Sequence, residues 1–158
     1  MISFCSMPEN HYPGYLEYFI PDYAREIQAN YRLSQSAARA RAEQEIAELL
    51  FEGVNTPGHT LLNLIVDSEN TNKHIGFLWY KPDTAMRTAF IYDFHIFEPY
   101  QGNGLGKQTL NALEQDLRDK GFDQIRLRVA GDNARARHIY EACGFGVTGI
   151  NMSKTLTD

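Results

Sequence analysis

Gln101-Gly102-Asn103-Gly104-Leu105-Gly106 separates an apolar run that closes at Phe97 from a run of helical spacing that opens at Leu105. Three glycines within five residues at such a junction need a reason. Glycine reaches positive φ without penalty and lets a ligand come close to the backbone. The first turn of the helix that follows has free amide hydrogens and the positive end of the helix dipole, and together these attract a phosphate or a similar anion. A turn that uses glycine only for its geometry is the plainer reading. The strand before and the helix after favour the anion.

Two familiar phosphate loops fail in register. The dinucleotide fingerprint Gly-x-Gly-x-x-Gly, started at Gly102, requires glycine where Lys107 stands. The P-loop pattern, aligned on Gly106-Lys107, requires glycine at Gln101 and a hydroxyl residue at Gln108. Kinases and dinucleotide enzymes are therefore poor fits.

Outward from the loop, the periodicities predict a mixed α/β order. A short strand is expected over residues 2–6. Leu16, Phe19, Ile20, Tyr23 and Ile27 recur at helical spacing from Tyr15 to Asn30, with Pro21 predicting a kink or a division into two helices. A second helix is expected from about Ser36 to Phe51, capped by Ser34 or Ser36 and ended by Gly53. Strands are predicted over Thr60 to Asp67 and His74 to Lys81, joined by a turn at 68–72, and over Ala89 to Phe97, where Pro99 stops the run. A helix from Leu105 to Lys120 carries Leu110, Leu113 and Leu117 on one face. Gln124 to Val129 alternates as a strand, Asn133 to Cys143 reads as a short helix, and one or two strands are expected within Gly144 to Thr155.

The 158 residues suit one domain with one core. Composition is ordinary for a soluble globular protein, with 43 % apolar and 22 % charged residues. A net charge of -5 speaks against a nucleic-acid partner, which selects for a basic face. Cys5 and Cys143 lack metal-ligand spacing and read as free thiols of a reducing compartment, and no metal is expected. Residues 1–5 show no basic segment followed by an apolar stretch, and no apolar run approaches the roughly 20 residues that span a bilayer. A cytoplasmic protein with no membrane partner is the expectation.

Gln101, Gly104 and Gly106 also fall in register with Gln/Arg-x-x-Gly-x-Gly/Ala, the pyrophosphate motif of the GNAT superfamily of acetyltransferases. A second pattern, Asn-x-x-Ala-x-x-x-Tyr-x-x-x-Gly-Phe, is filled by Asn133, Ala136, Tyr140, Gly144 and Phe145. With both motifs in order, the chain resembles this superfamily over about residues 89–146, and in overall pattern its small bacterial members. The resemblance implies a central, mostly antiparallel sheet flanked by helices, in one domain over 1–158. Residues 1–85 would form the acceptor-side half and 86–158 the half that binds acetyl-CoA.

It also implies roles. The pantetheine arm of acetyl-CoA would lie where the strand at 89–97 splays from that at 124–130, held by main-chain groups of Ile96, Phe97 and Glu98 and by Asn133. Amides of Gln101, Gly102, Asn103, Gly104, Leu105, Gly106 and Lys107 would hold the pyrophosphate. The Lys107 side chain either adds charge there or is simply solvated. Arg137 either reaches the phosphates or belongs to a solvated face. Tyr140 would be the general acid for the departing thiolate, against the plainer reading of a core tyrosine.

A base must also deprotonate an ammonium acceptor. Strand alternation groups Phe90, Tyr92, Phe94 and Ile96 on one face and Ile91, Asp93, His95 and Phe97 on the other. Family packing of Phe94 and Ile96 against the glycine-loop helix then turns Asp93 and His95 toward the acceptor. His95 titrates near neutrality, whereas Asp93 needs a raised pKa or a water relay. Tyr12, Tyr15, Tyr18, Phe19, Tyr23 and Tyr31 read as a core stripe in preference to an acceptor wall, and Glu17, Asp22 and Glu26 as candidate partners of a cationic acceptor. The function expected is an N-acetyltransferase acting on an amine of unknown identity, alone or as a homodimer. The alternative is a non-catalytic acyl-CoA-binding sensor or interaction module.

Overall fold

The computed structural model describes residues 1–157. Strands β1 (Ile2–Ser6), β2 (Thr60–Ser68), β3 (Thr71–Asp83), β4 (Thr88–Ile96) and β5 (Gln124–Leu127) lie side by side in chain order. The first four are antiparallel to their neighbours, and β4 and β5 run parallel. Helices α1 (Tyr12–Tyr31) and α2 (Gln35–Leu49) cover one face. Helix α3 (Leu105–Asp119) covers the other, where α4 (Ala134–Ala142) also packs through Ile139 and Tyr140.

The apolar pattern dictates these layers. Leu110, Leu113 and Leu117 of α3 are buried against Leu64, Ile75, Leu78, Tyr80, Ala89 and Ile91. Tyr15 and Phe19 of α1, with Ile46 and Leu50, are buried against Leu61, Phe77 and Trp79. Covered on both faces, β3 buries every residue from Ile75 to Tyr80, which explains its unbroken apolar run. A Cβ on Gly76 would stand 2.0 Å from the carbonyl oxygen of His95, so only glycine lets β3 approach β4 at this point.

Several expectations need correction. Helix α1 runs unbroken through Pro21. The proline removes one helical hydrogen bond, but Tyr15 and Phe19 before it are buried against the sheet, and Ala24 and Ile27 after it against Ala38 and Ala42 of α2, so packing holds both halves. Helix α2 is capped by Ser34, whose Oγ accepts from the amide of Ala37, and it ends before Gly53. The turn between β2 and β3 is only Glu69-Asn70, since Ser68 already pairs with Thr71. Residues 144–157 form no strand. Gly144, Gly146 and Gly149 weaken any ladder there, and Val147, Ile150, Met152 and Leu156 are exposed with nothing to pack against.

The alternation predicted for β4 fails at one residue. Trp79 pairs with Asp93 but Tyr80 with Ile91, so Tyr92 is an extra residue in β4. Ile91 therefore joins Phe94 and Ile96 on the α3 side. Tyr92 lies on the opposite side, stacked on Trp79 with ring centroids 4.6 Å apart. A second irregularity, at Ile75 of β3, leaves His74 and Phe77 on the same face, their rings 5.1 Å apart.

Candidate active site

Beyond Ile91, which pairs with Leu127, β4 continues without β5 beside it. This free stretch leads into a short 3-10 turn at Glu98–Tyr100 and then into the glycine loop. The side-chain amide of Gln101 donates to the carbonyl of Ile96 at 2.7 Å and ties the loop to the strand end. Gly102 and Gly104 have φ of 82° and 77°, the left-handed region that glycine alone enters cheaply. A Cβ at either position would meet nothing within 4 Å. Conformation, not crowding, thus requires glycine here, and the outer face of the loop is open. Gly104 caps α3 without a side-chain hydrogen bond, so the first-turn amides remain available. Gly106 brings the helix close to the Phe94 ring, 3.9 Å from an added Cβ.

Other residues expected at this end are divided. Lys107 is exposed. Arg137 is engaged by Glu141 of its own helix at 2.6 Å on a solvated face. Asn133 caps α4, its Oδ1 accepting from the amide of Ala136 at 3.1 Å.

At the other end of the free stretch, Asp93 turns toward α1. Tyr15 donates to its Oδ2 at 2.9 Å and Tyr18 to its Oδ1 at 3.0 Å. Burial pushes the carboxyl up to about 7; the two phenol hydrogen bonds pull against that rise, and the charges of Asp22 and Glu26 add to it. Burial raises both phenols, with Asp93 adding to the effect, so both remain donors. His95 stacks on the Tyr18 ring at 3.9 Å with an interplanar angle of 17°. Burial holds its imidazole below the ordinary value, against the pull of Asp22. Tyr140 comes from α4 with its ring against Phe145. Burial, aided by the charge of Asp93, pushes its phenol up to about 12. The site thus combines a carboxyl raised toward neutrality with an imidazole lowered, and a phenol raised, from their ordinary values, each chiefly by burial.

Two depressions flank this cluster. One, of about 350 Å³, is lined by His11, Gly14, Tyr18, His74, Phe77 and Phe97. The other, of about 290 Å³, lies between α1 and the loop before α4, with Asp22, Arg25, Glu26, Asp132 and Asn133 in its walls. Glu17 lines neither. Sequence reading missed the polar role of Tyr15 and Tyr18, which it assigned to the core stripe. A buried tyrosine hydroxyl needs a partner, and Asp93 was the strand carboxylate available to supply one.

Residues 18–145 match the family model described as the acetyltransferase (GNAT) family. The chain belongs to this family. A GNAT acetyltransferase is an acyltransferase enzyme, and acetyl-CoA is the family's donor. The chain is 37 % identical over 153 residues to the uncharacterized N-acetyltransferase YycN of Bacillus subtilis, spanning 95 % of this chain and 96 % of that one. The crystal structure of YycN superimposes with a TM-score of 0.90 at 34 % identity and full coverage of both chains. The PaiA N-acetyltransferase of Thermoplasma acidophilum, solved with coenzyme A, shares the fold with a TM-score of 0.71 at 19 % identity, over 96 % of this chain and 93 % of that one. Among the described residues, no helix is long and apolar enough to cross a membrane.

Proposed function

We propose that this GNAT enzyme transfers an acetyl group from acetyl-CoA to a primary amine by direct attack in a ternary complex. One observation carries the reading: the stretch of β4 that β5 leaves uncovered has an anion-receptive glycine loop at one end and, at the other, a carboxyl group that titrates near neutrality. The residues suit the donor. The open face of Gly102 and Gly104 and the uncapped amides of α3 are chemically apt for a pyrophosphate. The carbonyls of Ile96, Phe97 and Glu98 each accept one hydrogen bond, from the Gln101 side chain, the Tyr100 amide and the Gln101 amide, and their second lone pairs, with Asn133, are apt for the pantetheine amides. The bound donor supplies a thioester carbonyl and a thiol leaving group.

The chain's own residues handle protons. Asp93 takes the proton of the ammonium acceptor, because a carboxyl near 7 is ionised often enough at neutral pH and still basic enough to accept. His95, held neutral beside it, orders the acceptor or a water. Tyr140, protonated at neutral pH, donates to the departing sulfur. Three carboxylates, Asp22, Glu26 and Asp132, against one cation, Arg25, which pairs with Asp22 at 3.1 Å, leave the cleft with an excess of negative charge that favours a cationic acceptor.

Thiol release from acetyl-CoA, measured with a panel of amine, hydroxyl and carboxylate acceptors, tests the proposal. Release with amines alone is expected, with cationic amines first. Acetyl-CoA binding without release from any acceptor would instead identify a non-catalytic acyl-CoA-binding module.

A further inference from the structure

Asp93 is an unusual carboxylate, because among the described residues its hydrogen-bond donors are two phenols and neither a cation nor a backbone amide. Both phenols come from one turn of α1, 75 and 78 residues away in sequence. Tyr15 is fully buried. Tyr18 is only half-buried, lines the 350 Å³ depression, and lays its ring on His95 at 3.9 Å. A tyrosine serving the core alone would need none of these contacts. We propose that Tyr18 is a positioning residue for acyl transfer: its hydroxyl fixes one oxygen of Asp93 while its ring fixes the plane of His95, so that the acceptor-side helix sets the proton acceptor. The inference rests on the reading of Asp93 as the base.

A phenol donor stabilises the carboxylate over the carboxylic acid. With both donors in place, Asp93 is a weaker base than burial alone would make it, and its remaining lone pairs stay directed by two fixed bonds. The groups facing it are few. From α1 come Tyr15, Tyr18, Asp22 and Glu26, from β4 His95, and from α4 Tyr140. Its partner across the ladder on β3 is Trp79, which does not titrate. Asp22 and Glu26 raise the proton affinity of Asp93 and the phenols lower it. A ligand or variant that moves Tyr18 therefore changes the base without touching it.

Tyr18→Phe keeps the ring and deletes the donor. The readout is titration of the Asp93 carboxyl by carbon NMR of the labelled full chain, with Asp93→Asn identifying the signal. Expected is an upward shift of the Asp93 midpoint by about one pH unit. The acid limb of the kcat/KM profile with an amine acceptor should move by the same amount, with the high-pH plateau kept. Tyr15→Phe, which deletes the donor to the other oxygen, should shift the midpoint in the same direction and serves if Tyr18→Phe is not folded. Tyr18→Leu should also release His95, whose midpoint returns upward toward the ordinary imidazole value. An unmoved Asp93 midpoint in the phenylalanine variants overturns the proposal. If the midpoint moves but Asp93→Asn retains the acid limb, Asp93 is not the base; the positioning contact then stands and the catalytic reading of Asp93 fails.

Discussion

The glycine loop and the Asp93 cluster lie at opposite ends of the same stretch of β4, the part that β5 leaves uncovered, yet they are built by opposite means. The loop is made of backbone. Its conformation is encoded by Gly102 and Gly104 at the place where it is used, and its binding groups are the amides of its own helix. The cluster is made of side chains from three elements, α1, β4 and α4, with hydrogen bonds that span 75 and 78 residues. A backbone site survives drift in neighbouring side chains. A side-chain site can be retuned by any one of them. The difference suits an enzyme whose donor is common to its family and whose acceptor is its own.

The largest expected effect is at the cluster. Asp93→Asn keeps the shape and removes the proposed base, and should lower turnover by about 10²–10⁴-fold with little change in the KM for acetyl-CoA. A steady-state measurement showing loss of donor affinity instead would erase the separation between the two ends. Tyr140→Phe should lower turnover tenfold or more, on the same scale of acid–base effects, about 10²–10⁴-fold. Unchanged turnover removes Tyr140 from the chemistry and leaves it as packing for α4.

The same carboxyl has a cost in stability. An unfolded aspartate titrates near 3.9, and folded Asp93 near 7. The folded protein thus keeps a proton that the unfolded chain has released, so this site's contribution to stability falls as pH rises from about 4 to about 7 and stays low above that. Asp93→Asn should be more stable than the parent by roughly 1–3 kcal/mol at pH 8, and equal to it near pH 4. Thermal melts at the two pH values decide this, and a difference that does not grow with pH refutes the burial argument. The smallest effect is expected at the loop. Gly104→Ala forces a side chain into φ of 77°, costing about 1–2 kcal/mol. The KM for acetyl-CoA should rise several-fold while the Asp93 midpoint stays fixed. A larger change in acceptor KM than in donor KM would mean that the two ends are not independent.

What could be read in advance follows from the same contrast. Leu110, Leu113 and Leu117 announce α3 because period and burial agree, and the glycines before it announce the left-handed turn because its conformation is encoded locally. The short helix expected over Asn133 to Cys143 is α4. Long-range facts were hidden. Nothing near Tyr15 or Tyr18 in sequence indicates a carboxylate partner, and helical spacing alone assigns both to a core stripe. The proline rule predicted a break in α1 that tertiary packing overrides. The expected strands after Gly144 did not form, since alternation earns nothing without a neighbouring strand to pair with.

Asp93, expected on the acceptor side, meets Tyr15 and Tyr18 of α1, although the alternation used to orient it fails one residue earlier. Tyr92 is the reason. The extra residue resets the phase of β4, so that Ile91 faces α3 and, two positions on, Asp93 faces α1. Removal of Tyr92 alone would restore plain alternation, with Ile91 still opposite Tyr80 and Asp93 still opposite Trp79, each on the face it now occupies. What would be lost is the ring stacked on Trp79 and the local bend that the extra residue gives the strand. At this one position β4 can therefore change length without exchanging its two faces.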